Sequence, residues 1–177
     1  MEPEERERRL IETMDQYGDD IVKLCYTYVR NWQTAEDLTQ DSFLRFFRSL
    51  HTFRGEANIK TFLYRIAINV CHDYLMSWKY KKVTITNAFQ KLLHTDRSAE
   101  QVVISMDDSA RLVSAIEQLP PKYKDVIIVF HFGEMSLEET GVILNLPINT
   151  VKTRLRRARQ MLGISLQGGE EPYGSDS

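Results

Sequence analysis

A run of cationic side chains near the C-terminus is the part of the chain whose residue types most directly suggest a chemical role. Residues 148–160 contain five cations and no carboxylate: Lys152, Arg154, Arg156, Arg157 and Arg159. Apolar residues recur among them at spacings of four, three and four: Val151, Leu155, Ala158 and Leu162. The pattern predicts one helix with a buried apolar face surrounded by cations, which suits a position between two rows of phosphates. A basic helix on an ordinary solvated surface is the alternative.

A capping box lies upstream of this helix and predicts a second one. Ser136 is followed three residues later by Glu139, so a helix begins near Leu137. We expect its buried face to comprise Leu137, Val142, Ile143 and Leu144. Gly141 costs about 1 kcal/mol relative to Ala in a helix interior, and a close helix crossing is the expected reason.

The residues between the two helices predict a tight turn. Asn145 tolerates left-handed backbone, and Pro147 cannot continue the first helix because it lacks a backbone N–H. The basic helix then begins near Asn149 or Thr150. The two helices and their turn together predict a helix-turn-helix.

Composition and charge patterning indicate two small helical domains. The chain has 177 residues, 42% of them hydrophobic, and a formal net charge of -2 that is unevenly distributed. Residues 1–20 carry eight carboxylates and three arginines, whereas residues 60–82 carry five lysines and arginines and one aspartate. No apolar run approaches the roughly 20 residues that span a bilayer, and the acidic N-terminus is unlike a secretory signal, so we expect no membrane insertion.

Periodicity predicts an all-α fold in which two domains are joined by a flexible linker. Helical spacing runs to residue 82, breaks over residues 83–107, and resumes over residues 108–166. The linker is expected to hold a brief helix around residues 89–93, and residues 167–177 are expected to be a disordered tail. The C-terminal domain is predicted to be a four-helix domain that contains the helix-turn-helix.

The two cysteines predict buried free thiols in a cytosolic protein. Cys25 and Cys71 lie in apolar surroundings and lack a CxxC spacing. Cys71 and His72 point about 100 degrees apart on a helix, so they cannot easily share a metal. We expect no metal site and no cofactor.

A second cationic face is predicted on the helix over residues 61–78. Its core stripe is expected to contain Phe62, Ile66, Val70, Tyr74 and Trp78, flanked by Leu63, Ala67, Cys71 and Leu75. Another side carries Arg65, Asn69, His72, Met76 and Lys79. Cations near aromatic rings suit a partly unstacked strand, but cations at a helix C-terminus can also merely complement the macrodipole. The preceding loop, residues 53–59, has a plausible N-cap in Asn58 and could receive a base swung out of a duplex.

The helix over residues 35–50 carries mixed charge on one ridge. Its apolar residues are expected to pack inward: Leu38, Phe43, Phe46, Phe47 and Leu50. The ridge comprises Asp37, Gln40, Asp41, Arg45 and Arg48. Mixed charge suits a protein partner better than a polyanion. The alternative is a solvated Asp41–Arg45 pair that contributes about 0.2 to 0.5 kcal/mol.

These segments, in this order, resemble the extracytoplasmic-function sigma factors of bacteria. AEDLTQDSF resembles the family's polymerase-binding helix, FRGEANIKTFLYRIAINVCHDYL its promoter-melting loop and helix, and LPPKYKDVIIVFHFGEMSLEETGVILNLPINTVKTRLRRAR its promoter-reading domain. Some positions depart from the family pattern. Phe62 stands where Trp is common, Thr140 and Gly141 replace an Ile-Ala pair, and Asn145 and Asn149 replace glycines.

The resemblance implies a cytoplasmic protein without catalytic residues or cofactor that binds core RNA polymerase and directs it to promoters. The expected contacts with the clamp coiled coil of the largest polymerase subunit are Asp37, Gln40, Asp41 and Phe43. The expected contacts with the minus-ten element are Phe53, Arg54, Gly55, Asn58, Lys60, Arg65, Asn69 and Lys79. The expected contacts with the minus-thirty-five element are Asn149, Thr150, Lys152, Thr153, Arg154, Arg156 and Arg157.

The resemblance also implies further partners and a division of labour in the recognition helix. The C-terminal domain would contact the flap of the second large subunit, the linker would run toward the RNA exit path, and an anti-sigma factor would inhibit the protein. Cations would position the helix on phosphates, while Asn149, Thr150, Thr153 and Arg156 would read base edges.

Three other classes of protein are weighed against this reading. A stand-alone helix-turn-helix regulator would bind duplex DNA without polymerase, and an interaction module would carry the basic helix incidentally. An enzyme is disfavoured because the sequence has no glycine-rich phosphate loop, metal-ligand cluster or clustered nucleophile and base.

Overall fold

The computed structural model describes residues 2–53, 55, 58–89 and 108–163. The helices are α1 (Pro3–Val29), α2 (Trp32–Ser49), α3 (Ile59–Phe89), α4 (Asp108–Glu117), α5 (Pro121–Ile127), a π-helical turn (Ile128–Phe132), α6 (Leu137–Leu144) and α7 (Ile148–Met161). No strand occurs within these described ranges, which confirms the predicted all-α class.

Helices α1, α2 and α3 form the N-terminal half. Arg30 ends α1 in the left-handed conformation with φ 55°, and the Asn31 side chain then caps α2 by accepting a hydrogen bond from the Thr34 N–H at 2.9 Å. Ile21, Phe46 and other apolar side chains of the three helices are fully buried. This tight corner therefore folds α2 back onto α1 and supports α3.

Helix α3 runs farther than the sequence predicted. It continues to Phe89, through the first seven residues of the predicted linker. The rest of that linker and the predicted disordered tail lie outside the described residues, as does most of the brief helix expected at residues 89–93.

The two halves of the chain pack against each other. Four side chains from the C-terminal half share one buried cluster with the core of α1, α2 and α3: Ile128, Val129, Met135 and Ile143. A second cluster, which belongs to the C-terminal half alone, includes Val126, Val151 and Leu155. The sequence predicted two tethered domains but not this contact between them.

That contact explains where the prediction of the α3 core face was wrong. Tyr64 and Ile68 are buried although the sequence left them out of the core stripe, and both belong to the cluster shared with the C-terminal half. Trp78, which was placed in the stripe, is 49% exposed. Val142 of α6 was likewise expected to be buried and is 50% exposed, because Thr140, Gly141 and Ile143 supply the buried side instead.

Both cysteines are buried and free, as predicted. The neighbouring Cys25 thiol of α1, together with burial, raises the pKa of Cys71 on α3. Among the described residues, no group of three or more His, Cys, Asp or Glu side chains is placed to hold a metal ion.

Candidate nucleic-acid and protein interfaces

The helix-turn-helix forms as the sequence predicted. The Ser136 hydroxyl accepts a hydrogen bond from the Glu139 N–H at 3.1 Å, and Glu139 Oε2 accepts one from the Ser136 N–H at 2.8 Å. Asn145 ends α6 in the left-handed conformation with φ 54°. Helix α7 begins at Ile148, one residue before the predicted start, with Pro147 at its N-cap.

Gly141 is needed because the backbone after the turn passes directly beside it. A Cβ at this position would lie 2.7 Å from the Leu146 carbonyl oxygen and 3.8 Å from Val151 Cγ2. Leu146 donates its backbone N–H to the Gly141 carbonyl oxygen at 2.8 Å. This close approach explains the glycine in the helix interior and fixes the angle at which α7 leaves the turn.

Helix α7 buries its apolar face and leaves its polar residues accessible. Val151, Leu155 and Ala158 are buried, and Leu162 is half-buried. The predicted DNA-contact residues of α7 are all exposed or half-buried: Asn149, Thr150, Lys152, Thr153, Arg154, Arg156 and Arg157. The structure thus brings all seven onto the outer surface of one helix.

The fifth cation of α7 makes contacts within its own domain. The Arg159 guanidinium lies 5.6 Å from the centre of the Phe130 ring, and its Nη2 lies 3.3 Å from His131 Nε2. Partial burial and this guanidinium lower the pKa of His131. Arg159 therefore helps to anchor α7 to the π-helical turn.

A groove between the start of α5 and α7 adds two residues that the sequence pattern did not identify. It has a volume of about 320 Å³, and Lys122 and Tyr123 line it beside Asn149, Arg154 and Arg157. The nearby Arg157 guanidinium lowers the pKa of the Tyr123 hydroxyl, and Lys122 Nζ lies 5.0 Å from the Tyr123 ring centre. Lys122 lies far from α7 in sequence, so only the Lys-Tyr-Lys composition of α5 could have signalled it.

The loop before α3 contributes one ring of an aromatic pair and the N-cap of the helix. The rings of Phe53 and Phe62 lie 5.0 Å apart, and Gly55 has φ 74°. The Asn58 side chain accepts a hydrogen bond from the Lys60 N–H at 2.9 Å, which confirms the predicted N-cap. Arg54 lies outside the described residues.

Helix α3 presents Arg65 and Asn69 on one exposed side, one turn apart. Lys60 is the second residue of the same helix, and its Nζ lies 5.5 Å from the centre of the Tyr64 ring. Lys79 lies farther along α3. The first turns of α3 therefore carry two exposed polar side chains, Arg65 and Asn69, after the cationic Lys60 near its start.

The ridge on α2 is mixed in charge, as predicted. Asp37 and Gln40 are exposed, and Arg45 pairs with Asp41 at 3.1 Å and with Asp73 of α3 at 2.7 Å. The hydrogen bond to Asp73 and the Asp41 charge raise the pKa of Arg45. Phe43 is only 5% exposed, which confirms that it packs inward, as its apolar position on α2 predicted. Its burial corrects the polymerase contact that the resemblance implied for it, because the ring offers no contact surface.

Two family models match the chain in the places where these surfaces lie. The model for Sigma-70 region 2 matches residues 13–79, which include α2 and most of α3. The model for Sigma-70, region 4 matches residues 109–162, which include α5, α6 and α7.

Whole-chain relatives agree with both matches. The chain is 33% identical over 162 residues to the ECF RNA polymerase sigma factor SigW of Bacillus subtilis, covering 87% of each protein. It is 31% identical over 160 residues to the RNA polymerase sigma factor SigV of the same organism, covering 89% of this chain and 90% of that protein. The chain belongs to the extracytoplasmic-function family of RNA polymerase sigma factors. This sigma factor accordingly binds core RNA polymerase and directs transcription initiation at promoters.

Two solved structures share its fold. The sigma factor RpoE of Bartonella quintana, solved with the anti-sigma factor NepR, aligns with a TM-score of 0.66 at 19% identity, over 88% of this chain and 94% of that one. CnrH, solved with the cytosolic domain of CnrY, aligns with a TM-score of 0.64 at 22% identity, over 89% of this chain and 86% of that one. Sigma factors as a class are transcription initiation factors rather than enzymes. In this sigma factor, no described helix has the length and apolar character needed to cross a membrane.

Proposed function

We propose that this sigma factor holds its promoter at two points, with α7 at the minus-thirty-five element and α3 with its preceding loop at the minus-ten element. The observation that carries the proposal is the outer surface of α7, which bears cations and amides over a buried apolar face. An α-helix fits the major groove of B-form DNA, where base edges can be read.

At the minus-thirty-five element, some side chains of α7 contact phosphates and others read base edges. Lys152, Arg154 and Arg157 contact phosphates and set the position of the helix, and Lys122 joins them through the groove beside Arg157. The base-reading side chains are Asn149, Thr150, Thr153 and Arg156. Arginine is suited to this role because its guanidinium can donate two hydrogen bonds to guanine.

At the minus-ten element, the loop and the first turns of α3 act on a separated strand. The proposed contacts are Phe53, Arg54, Gly55, Asn58, Lys60, Arg65, Asn69 and Lys79. Aromatic rings stack with unpaired bases and cations follow the backbone, a combination that single-stranded DNA favours. The Phe53–Phe62 pair, and Lys60 near the start of α3, support this assignment.

Polymerase binding is assigned to the α2 ridge. Asp37, Gln40 and Asp41 dock on the clamp coiled coil of the largest subunit, and Phe43 is left out because it is buried. The C-terminal domain contacts the flap of the second large subunit. We keep the domain limits at residues 1–82 and 108–166, with the linker between them running toward the RNA exit path.

Three further assignments accompany this function. The chain has no catalytic activity of its own and acts in the cytoplasm, where core polymerase transcribes. An anti-sigma factor inhibits it, which the complexes of RpoE with NepR and of CnrH with CnrY support by analogy of fold.

Run-off transcription with purified core polymerase tests the proposal. A promoter first selected from random duplexes with the holoenzyme should give a discrete transcript that requires this chain. The rival, a stand-alone helix-turn-helix regulator, predicts instead that the chain binds that DNA specifically without polymerase and adds nothing to initiation. A polymerase that starts at the same site without the chain would reject the proposal.

A further inference from the structure

A cavity of about 300 Å³ lies between α3 and the helix-turn-helix. Helix α3 lines one side of it, and the end of α6, the turn and α7 line the other. Small-molecule pockets in proteins have volumes of about 300–1,000 Å³, whereas one water molecule occupies about 30 Å³. The cavity is therefore large enough to hold a small ligand.

Two guanidinium groups meet at this cavity, Arg65 from α3 and Arg154 from α7. Arg65 is exposed and Arg154 is half-buried. Among the described residues, neither side chain has an ion-pair or hydrogen-bond partner. Two like charges that share a cavity repel each other, and an anion between them removes that repulsion. The charges therefore favour an anionic ligand.

Two amide side chains add further hydrogen-bond donors. Asn69 lies one turn after Arg65 on α3, and Asn145 lies at the turn, with φ 54°. Within the part of the chain that the structure describes, neither amide side chain has a hydrogen-bond partner. Each amide can donate two hydrogen bonds, and each guanidinium can donate a parallel pair to one phosphate. Four side chains can thus donate to one oxygen-rich ligand.

The carboxylate of Asp125 does not neutralise these guanidinium groups, because it already has partners. Its Oδ1 accepts a hydrogen bond from the Tyr28 hydroxyl at 2.7 Å and lies 2.9 Å from His72 Nε2. The hydrogen bond to Asp125 raises the pKa of His72, so the imidazolium is favoured as its counter-charge. Of the described side chains that line the cavity, only Asp125 is a carboxylate. The lining therefore keeps a net positive charge.

Apolar side chains form the rest of the lining. Ile68 and Ile143 are buried, and Leu146 is half-buried. Their low polarity strengthens the attraction between the guanidinium groups and an anion. Two linked phosphates can present a separate set of oxygens to each guanidinium, which a single tetrahedral anion cannot do. The arrangement therefore fits a diphosphate better than sulfate or a single phosphate.

We propose that this cavity binds a small anion with two linked phosphate groups, held by Arg65 and Arg154 with help from Asn69 and Asn145. Inorganic pyrophosphate and a nucleoside diphosphate share this chemistry. Arg65, Asn69 and Arg154 are also proposed promoter contacts, so the bound anion and DNA phosphates would compete for them. That consequence rests on the proposed function, whereas binding of the anion to the free protein does not.

Isothermal titration calorimetry of the free full-length protein with inorganic pyrophosphate, without divalent cations, tests the site. We expect saturable binding at one site per chain, with sulfate binding at least about tenfold more weakly. ADP, which carries two linked phosphates on a nucleoside, distinguishes the two sources. Tighter binding of ADP than of pyrophosphate would support the site and identify a nucleotide as its ligand, and the reverse order would support it with an inorganic ligand.

Substitution of the two arginines tests which side chains hold the anion. Arg65→Ala/Arg154→Ala should weaken pyrophosphate binding by at least about tenfold, because charge-assisted hydrogen bonds from both guanidinium groups are lost. Neither side chain has a partner among the described residues, so circular dichroism should show an unchanged helical fold. Arg8→Ala, at an exposed arginine of α1, is the matched control and should bind pyrophosphate as the parent protein does.

The ring protons of His72 report where the anion binds. His72 lines the cavity, whereas His131 lies beside Arg159 and outside it. In proton NMR spectra, pyrophosphate should shift the His72 signals, which are assigned by their absence from His72→Gln. The His131 signals should stay unchanged.

Four outcomes would overturn the inference. They are the absence of saturable pyrophosphate binding, sulfate binding as tight as pyrophosphate binding, an affinity that the double arginine substitution leaves unchanged, and His72 signals that do not shift. Arginines that serve only promoter DNA predict the first of these. All these measurements use the protein without DNA or polymerase, so a failure here leaves the run-off test of the proposed function intact. A failed run-off test likewise leaves the anion site standing.

Discussion

The two halves of this sigma factor differ in how charge is arranged on their working surfaces. The outer side of α7 carries cations and no carboxylate. The start of the preceding helix α6 and the turn that leads to α7 are fixed by neighbouring residues. The N-terminal half interleaves both signs, as Arg45 between Asp41 and Asp73 illustrates. One half therefore presents a surface suited to a polyanion, and the other presents a surface of mixed charge.

The comparison teaches that a function can be local or distributed in the fold. The cap, the turn and the close crossing of the helix-turn-helix all lie within residues 136–162. The N-terminal surfaces depend on α1, α2 and α3 together. Substitutions in the two halves should accordingly weaken binding to different partners.

The largest expected effect is on the promoter-reading helix. Arg156→Ala should lower transcription from the cognate promoter by about 5- to 150-fold, the equivalent of about 1 to 3 kcal/mol for one bidentate base contact. Core-polymerase binding, measured by fluorescence anisotropy, should be unchanged. Arg8→Ala, at an exposed arginine of α1, is the matched control. Equal loss of both activities would break the comparison between the halves.

Reversing a charge on α2 should have the opposite pattern. Asp37→Lys is expected to weaken core-polymerase binding by about tenfold, because one like-charge contact costs about 1.4 kcal/mol or more at an interface. Asp37 is preferable to Asp41, whose loss would also disturb Arg45. Asp15→Lys, on exposed α1 surface, is the control. A holoenzyme of unchanged affinity would show that the ridge is misassigned.

A smaller effect is expected from the capping box. Ser136→Ala removes the hydroxyl that accepts a hydrogen bond from the Glu139 N–H. The substitution should reduce the free energy of unfolding by about 1 kcal/mol. Urea unfolding followed by circular dichroism measures the change, and Ser77→Ala at an exposed helix position is the comparison. If the two substitutions have equal effects, the cap does not hold the recognition domain as described.

The smallest expected effect is on pH dependence at the junction of the halves. The hydrogen bond to Asp125 raises the pKa of His72, so the folded protein holds this proton more tightly than the unfolded chain. The resulting stabilisation is fully present below the ordinary histidine pKa of about 6.5 and is lost as the pH rises through the raised value. Asp73, a second nearby carboxylate, acts in the same direction.

Thermal unfolding of the parent protein and His72→Gln across this pH range isolates the contribution. The difference is needed because the lowered pKa of His131 acts with the opposite sign. The stability advantage of the parent over His72→Gln should shrink from pH 6 to pH 8. An advantage that grows with pH would show that His72 is not held by Asp125 in solution.

The accuracy of prediction from the sequence also differs between the two halves. The capping box, the turn at Asn145 and the buried face of α7 were predictable because short-range periodicity and hydrogen bonding decide them. The burial of Tyr64 was not, because the C-terminal half covers that residue from more than 60 positions away. Helical spacing predicts which residues share a face of a helix, but it does not predict which faces are buried by another part of the chain.

The candidate site shows the same limit. The cations of α7 could be read from their density, whereas Lys122 joins the site through the packing of α5 on α7. Helical spacing already placed Phe43 on the inward face of α2, and its burial rules out the polymerase contact that the resemblance implied for it. In the N-terminal half, residue types alone permitted DNA binding, and the family resemblance specified it.

Photocrosslinking of the holoenzyme to its promoter tests the central claim most directly. A photoreactive amino acid at Asn149 of α7 and, separately, at Asn69 of α3 should crosslink to two DNA segments about 25 base pairs, or about 85 Å, apart. The same group at Asp15 of α1 should give no crosslink. Crosslinks from Asn149 and Asn69 to one and the same segment would contradict the two-point hold on the promoter.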